Sequence, residues 1–236
     1  MKILFIFICI FILNIILFFT CYKTTIYSFK KNNKSPTILF ISGTHGNEDT
    51  GPYCLSNFVN QLKLNNIILK KGRVFIVPNF NKCGLLSNSR HYNKIGKKYD
   101  LNRLYGKNFI VNRPIENLVK KSDIIIDLHD AWGYYKKFKG SIGSTIYYHN
   151  FKEENKKQLL NLLNKNINED FKKFSIISSK SIKHNNSLKK FIIEKYPKKK
   201  YILFETTGQN NIQDIHLRAA QCDILIKYIL ESNNMI

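Results

Sequence analysis

Short apolar runs separated by amphipathic stretches constrain this chain more than any other feature. Thr37 to Ser42, Arg73 to Val77, Asp123 to His129, Ser144 to His149 and Tyr201 to Glu205 each span five to seven residues rich in Ile, Val, Leu, Phe or Tyr. Runs of that length and composition read as strands. Between the first two, Leu55, Phe58, Val59, Leu62 and Leu64 recur at near-helical spacing across Thr50 to Leu64, with Gly51-Pro52 at its start. The same spacing predicts helices over about 114–121, 152–168, 188–196 and 214–230, and a short strand at Ser175-Ile176-Ile177. Residues 80–107 are polar and loop-like, with Asn, Ser, Gly and Lys recurring. Strands alternating with helices imply a single α/β domain, its sheet mainly parallel and covered by helices on both faces. No internal repeat or interdomain linker interrupts residues 36–232, which read as that domain.

Ahead of it, residues 1–22 are a hydrophobic anchor or signal and 23–35 a basic linker. Ile3 to Phe19 is apolar except for Asn14, about the minimum for a transmembrane segment. Phe18-Phe19-Thr20-Cys21 is too bulky for a convincing cleavage site, so a single-pass membrane anchor is expected ahead of secretion after signal cleavage. Lys23, Lys30, Lys31 and Lys34 outnumber Lys2, which by the positive-inside rule favours a cytoplasmic domain, though lysine is dense throughout. The formal charge of +22 is spread over scattered lysines, with Asn and Ile also abundant, as an AT-rich coding sequence would give. No nucleic-acid motif accompanies it, so no specific nucleic acid is expected as a partner. Cys9, Cys21, Cys54, Cys83 and Cys222 contain no Cys-x-x-Cys pair and imply neither a zinc knuckle nor a disulfide scaffold.

Chemistry gathers where strands end. In open α/β sheets, sites lie at the carboxyl ends of the strands. Three strands here end in candidate groups: His45 and Glu48, then Asp127 and His129, then Glu205. Catalytic zinc takes three protein ligands and leaves one position for water, and two histidines with a glutamate are one known set. His45, Glu48 and His129 would form it. The two-residue step from Asp127 to His129 puts both side chains on one face of a strand, so Asp127 could orient a ligand. Each item has an ordinary explanation as well: His-x-x-Glu is a common chance pattern, and Asp127 could serve only to accept backbone hydrogen bonds. Glu205 is more telling, because a carboxylate closing an apolar strand is costly unless it is paired or functional. His91, His149, His184 and His216 lack such surroundings and read as ordinary polar positions.

Gly43-Thr44-His45-Gly46-Asn47-Glu48, with Thr50-Gly51 after it, resembles the zinc motif of the aspartoacylase and succinylglutamate desuccinylase family, part of the zinc carboxypeptidase superfamily. Asp100-Leu101-Asn102-Arg103 resembles its substrate-binding motif, Asp127-Leu128-His129 its third-ligand motif and Phe204-Glu205-Thr206 its catalytic glutamate, in the same order over about 36–230. The resemblance implies that His45, Glu48 and His129 hold Zn2+. It implies that Glu205 takes a proton from water and returns it to the leaving amine. Asn102 and Arg103 would bind a substrate carboxylate, and Arg90 would stabilise the tetrahedral oxyanion.

The resemblance is incomplete where substrate choice is decided. The stretch after Glu205 reads as a single helix in place of the family's extra C-terminal β-domain, so neither N-acetylaspartate nor N-succinylglutamate is carried over. Asp130-Ala131-Trp132-Gly133-Tyr134 could line a pocket. The expectation is a membrane-tethered zinc amidohydrolase cleaving an amide bond next to a carboxylate, first an N-acyl amino acid deacylase. Alternatives are a carboxypeptidase acting on peptides or cell-wall peptides, and an inactive tethered binding protein. The intact ligand set with Glu205 argues against the last. Oligomeric state is not indicated.

Overall fold

The computed structural model describes residues 23–94, 96–178 and 184–236. In chain order the strands are β1 (Tyr27–Lys30), β2 (Thr37–Ile41), β3 (Arg73–Val77), β4 (Tyr92–Lys94), β5 (Lys97–Tyr99), β6 (Ile124–Ala131), β7 (Thr145–His149), β8 (Ser175–Ile176) and β9 (Lys200–Thr207). The helices are α1 (Thr50–Lys63), α2 (Lys82–Leu86), α3 (Arg113–Lys121), α4 (Glu153–Asn164), α5 (Leu188–Lys195) and α6 (Ile215–Ser232). The main sheet runs β1-β3-β2-β6-β9-β7-β8. Its central strands β3, β2, β6 and β9 are parallel, while β1 and β7 join antiparallel. The expected α/β domain with a mixed, mostly parallel sheet is therefore present.

The sheet is buried on both faces, which is why its strands read as nearly continuous apolar runs. Ile38, Phe40, Ile126, Ile202 and Phe204 face α1, α4 and α6. Leu39, Ile41, Ile125, Tyr201 and Leu203 face α3 and α5. Local chemistry places the helix starts. Pro52 lies in the first turn of α1 and Pro114 in that of α3, where a missing N–H costs nothing. Ser187 caps α5 by accepting from Lys190 N, and Asp214 caps α6 by accepting from His216 N at 2.8 Å.

Two stretches differ from expectation. The basic linker 23–35 contains β1, which pairs with β3 from Tyr27–Ile76 to Lys30–Arg73, so the sheet begins inside that stretch. The loop 80–107 contains α2 and the hairpin β4–β5. Among the described residues no helix is long and apolar enough to cross a membrane. The apolar run at 3–19 lies outside the described residues.

Phe40 is fully buried at the centre of the sheet and meets Phe58 of α1 edge-on, with ring centroids 5.5 Å apart. Phe40→Ala should cost about 3–5 kcal/mol of folding stability, read as a lower urea midpoint for the solubilised protein with the slope of the transition unchanged.

Candidate active site

The turn after β2 is pinned from three sides. Ser42 N donates to Val77 O at 3.0 Å, and Asn81 N donates to Gly43 O at 2.7 Å, tying the exit of β2 to that of β3. Gly43 has φ +64°, where a side chain would be strained. A Cβ at Gly46 would stand 1.9 Å from the carbonyl carbon of Gly84 in α2, so only glycine lets the two backbones meet. The turn thus delivers His45 and Glu48, both nearly fully buried, just before α1. Parallel pairing of β6 with β9 sets His129 directly beside Glu205.

Glu48 lies between the two imidazoles. Its Oε1 is 2.7 Å from His45 Nδ1 and its Oε2 is 2.8 Å from His129 Nδ1, with the rings 5.0 Å apart. The outer nitrogens are held by carboxylates. His45 Nε2 lies 3.2 Å from Asp100 Oδ1, and His129 Nε2 faces Asp127 Oδ1 at 3.1 Å, off the line of a full hydrogen bond. Tyr201 donates its hydroxyl to the other oxygen of Asp127 at 2.8 Å. An imidazole with one nitrogen directed inward and the other against a carboxylate is the usual dress of a metal ligand. One ligand atom from each of His45, Glu48 and His129 can be chosen so that all lie within 4.8 Å of one another. These residues could hold a metal ion.

The charges agree. Burial would raise the Glu48 carboxyl, but the imidazoles of His45 and His129 outweigh it and hold it well below the usual carboxylate range. Asp100 is likewise held low against its burial by His45, Arg90 and Arg103. Glu205 is pushed well above the usual range, by burial first and then by Glu48, Asp127 and Asp130, with His129 opposing. Such an excess of buried carboxylates suits a divalent cation.

His45, Glu48, His129, Glu205, Arg90, Asn102 and Arg103 all border one cavity of about 200 Å³. Arg90 Nη2 donates to Asp100 Oδ2 at 3.1 Å, and its Nη1 lies 3.7 Å from Glu48. Arg103 is half-buried and donates to Asn102 O at 2.8 Å. The Asn102 side-chain oxygen accepts from Leu188 N at 2.9 Å. Its amide nitrogen is then the end suited to an anion. Asp127 stands behind His129 and is not part of the cavity wall.

A family model described as Peptidase_M99, "Carboxypeptidase controlling helical cell shape catalytic", matches residues 1–214. The chain belongs to this carboxypeptidase family. The match bears out the expected kinship with the zinc carboxypeptidase superfamily. Two forms of Helicobacter pylori Csd4 share the fold. The mDAP-bound form, described as a D,L-carboxypeptidase, is 18% identical with TM-score 0.71, covering 89% of this chain and 55% of that one. The tripeptide-bound form is 18% identical with TM-score 0.69, covering 90% and 56%. A succinylglutamate desuccinylase/aspartoacylase from Rhodobacter sphaeroides is 18% identical with TM-score 0.60, covering 90% of this chain and 60% of that one. The chain thus spans little more than half the length of the Csd4 chains. No curated protein matches it.

Within the M99 fold of this chain, several cavity residues lay beyond sequence reasoning. Asp100 belongs to a recognised motif, but its contact with His45 crosses 55 residues. His184 was expected to be an ordinary polar position, yet it borders the cavity, and burial with Arg103 and Arg90 lowers its pKa. Lys189 and Gln209 border it too, and Gln209 Nε2 donates to Asp130 O at 2.6 Å. Of the stretch from Asp130 to Tyr134, the cavity takes Asp130, Ala131 and Trp132; Tyr134 instead packs edge-on against Phe171 at 5.3 Å.

The geometry predicts one metal ion per full-length chain when purified under zinc-replete conditions. His129→Ala should lose most of it, measured by elemental analysis against protein concentration. Metal-free wild-type protein would contradict the ligand set.

Proposed function

We propose that this chain is a zinc carboxypeptidase that removes the C-terminal residue of a peptide, a cell-wall peptide being the favoured substrate class. One observation carries the reading most directly: the candidate metal ligands, Glu205 and a cationic wall of Arg90, Arg103 and Lys189 border a single cavity. The family description and the peptide ligands named for the Csd4 structures support it. They move the carboxypeptidase reading ahead of the N-acyl amino acid deacylase reading.

When bound by His45, Glu48 and His129, zinc supplies Lewis acidity toward the scissile carbonyl and makes water easier to deprotonate. Glu205, beside His129, accepts the proton of the attacking water and passes it to the leaving amine. Asp100 and Asp127 orient the two imidazoles. Arg90, held against Asp100, places its guanidinium at the cavity wall to meet developing negative charge on the carbonyl oxygen. Arg103 and the Asn102 amide nitrogen bind the free carboxylate, the guanidinium fork giving two parallel charge-assisted bonds. The apolar run at 3–19 would tether the catalytic domain to a membrane, with substrate reached beside it.

Glu205→Gln should keep its metal and lose roughly 100- to 10,000-fold in turnover. Metal analysis and single-turnover kinetics separate the two effects. Metal lost together with activity would instead make Glu205 a ligand.

Lysine cannot reproduce a bidentate guanidinium fork. Arg103→Lys should therefore weaken kcat/KM for a free-acid peptide by about 2–4 kcal/mol. The C-terminally amidated peptide should be poor for wild type and nearly indifferent to the change. Equal cleavage of acid and amide by wild type would contradict the carboxylate rule.

A further inference from the structure

The residues immediately after the candidate ligands and base converge on a second cluster behind the cavity, buried except for the exposed Asp49. Asp49 and Thr50 follow Glu48, Asp130 follows His129, and Thr206 follows Glu205. Side chains alternate along a strand, so with His129 and Glu205 at the cavity, Asp130 and Thr206 project to the other face of the sheet. There Asp130 meets Arg218 of α6, which is fully buried.

Arg218 Nη1 lies 2.7 Å from Asp49 Oδ1 and 3.4 Å from Asp130 Oδ2, and it also donates to the Thr50 hydroxyl. Its Nε donates to Gln213 O at 2.8 Å. Asp130 completes the cluster by accepting from Thr50 N at 3.0 Å and from the Thr206 hydroxyl. Gly208 makes room for this: a Cβ there would stand 2.3 Å from Arg218 Nη1 and 2.7 Å from Asp130 Cγ.

We propose that Arg218, acting through Asp130, is a positioning residue for the metal site. The guanidinium joins the backbone segments that carry Glu48 and His129, and Asp130 extends the link through the Thr206 hydroxyl to the one that carries Glu205, so their spacing is set from behind as well as at the cavity. A buried ion pair often contributes little net stability relative to apolar groups of the same shape. Its value here lies in geometry: Nη1 faces Asp49, Thr50 and Asp130 while Nε is held by Gln213 O, so one fixed side chain meets several acceptors at once. Arg218 lies beyond residues 1–214, the part matched by the family model. The proposal rests on the metal-ligand reading of His45, Glu48 and His129 and is independent of which substrate is cleaved.

The test is Zn2+ affinity of the full-length chain, measured by competition with a chromophoric chelator, with circular dichroism and thermal melting alongside. Arg218→Gln and Asp130→Asn should each weaken zinc binding by about 10- to 100-fold, the range for partners of metal ligands. The double variant should be no weaker than the worse single one, because the two act as a unit. Leu163→Ala, a cavity in the buried face of α4, is the control for general loss of stability and should leave zinc affinity unchanged. Arg218→Lys keeps the charge and loses the fork, and is read by the same criteria if the glutamine variant does not fold. Wild-type affinity in the Arg218 variant, additive losses in the double variant, or an equal loss in Leu163→Ala would each overturn the proposal. Wild-type chain that binds no zinc would overturn the metal-site reading along with it.

Discussion

The parallel register of β6 on β9 is the constraint on which the site depends. It sets His129 beside Glu205 and Asp130 beside Thr206. A slip of one residue would exchange the two faces, turning the Asp130 carboxylate to the side of the candidate ligands and His129 toward α6. Burial on both faces prevents this through the residues that precede them. Ile124, Ile126, Ile202 and Phe204 fill the layer under α1, α4 and α6, while Ile125, Tyr201 and Leu203 fill the layer under α3 and α5. The apolar core therefore fixes the chemistry at the strand ends by fixing register.

Charge is arranged locally and against the trend of the whole chain. A molecule of formal charge +22 gathers Glu48, Asp100, Asp127, Asp130 and Glu205 around two imidazoles. Unpaired, buried carboxylates at such density would be driven toward protonation, as the raised Glu205 shows. Glu48 escapes because both its oxygens face imidazole nitrogens. The arginines then sort by depth. Arg218 compensates Asp130 from inside, whereas Arg90, about one third exposed, stays beside the cavity while paired to Asp100.

Much of this was legible in the sequence because it is encoded locally. Short apolar runs mark β2, β3, β6, β7 and β9, and the residues closing β2, β6 and β9 carry the candidate chemistry. What was not legible depends on contacts made only by folding. Tyr27–Lys30 alternates inward and outward faces, but four residues among lysines look the same as a solvated linker until β3 pairs with them. Asp100 reaches His45 across 55 residues, and Arg218 reaches Asp130 across 88, distances at which no spacing rule operates. On its own helix Arg218 resembles any surface arginine. Only the glycine at 208 hints that something large must approach, and its meaning is visible only with the side chain in place.

Cavity size bears on which reaction the proposed carboxypeptidase reading can accommodate. About 200 Å³ is below the range of roughly 300–1,000 Å³ for sites that enclose drug-sized ligands. It is enough for one amino-acid residue with its carboxylate, but not for a peptide enclosed along its length. An exopeptidase needs no more: one residue enters, the scissile bond lies at the metal ligands, and the remaining chain stays outside. Trp132, nearly half exposed at the cavity wall directly after β6, offers an apolar surface on which that chain can lie. Arg103 and Arg90 approach the cavity from the segment between β3 and α3, so the proposed carboxylate and oxyanion contacts come from one segment, while the candidate ligands and base come from strand ends and the turn after β2. On this proposed reading, substrate preference changes through that loop while the candidate metal ligands, carried by β6 and the turn after β2, are left undisturbed.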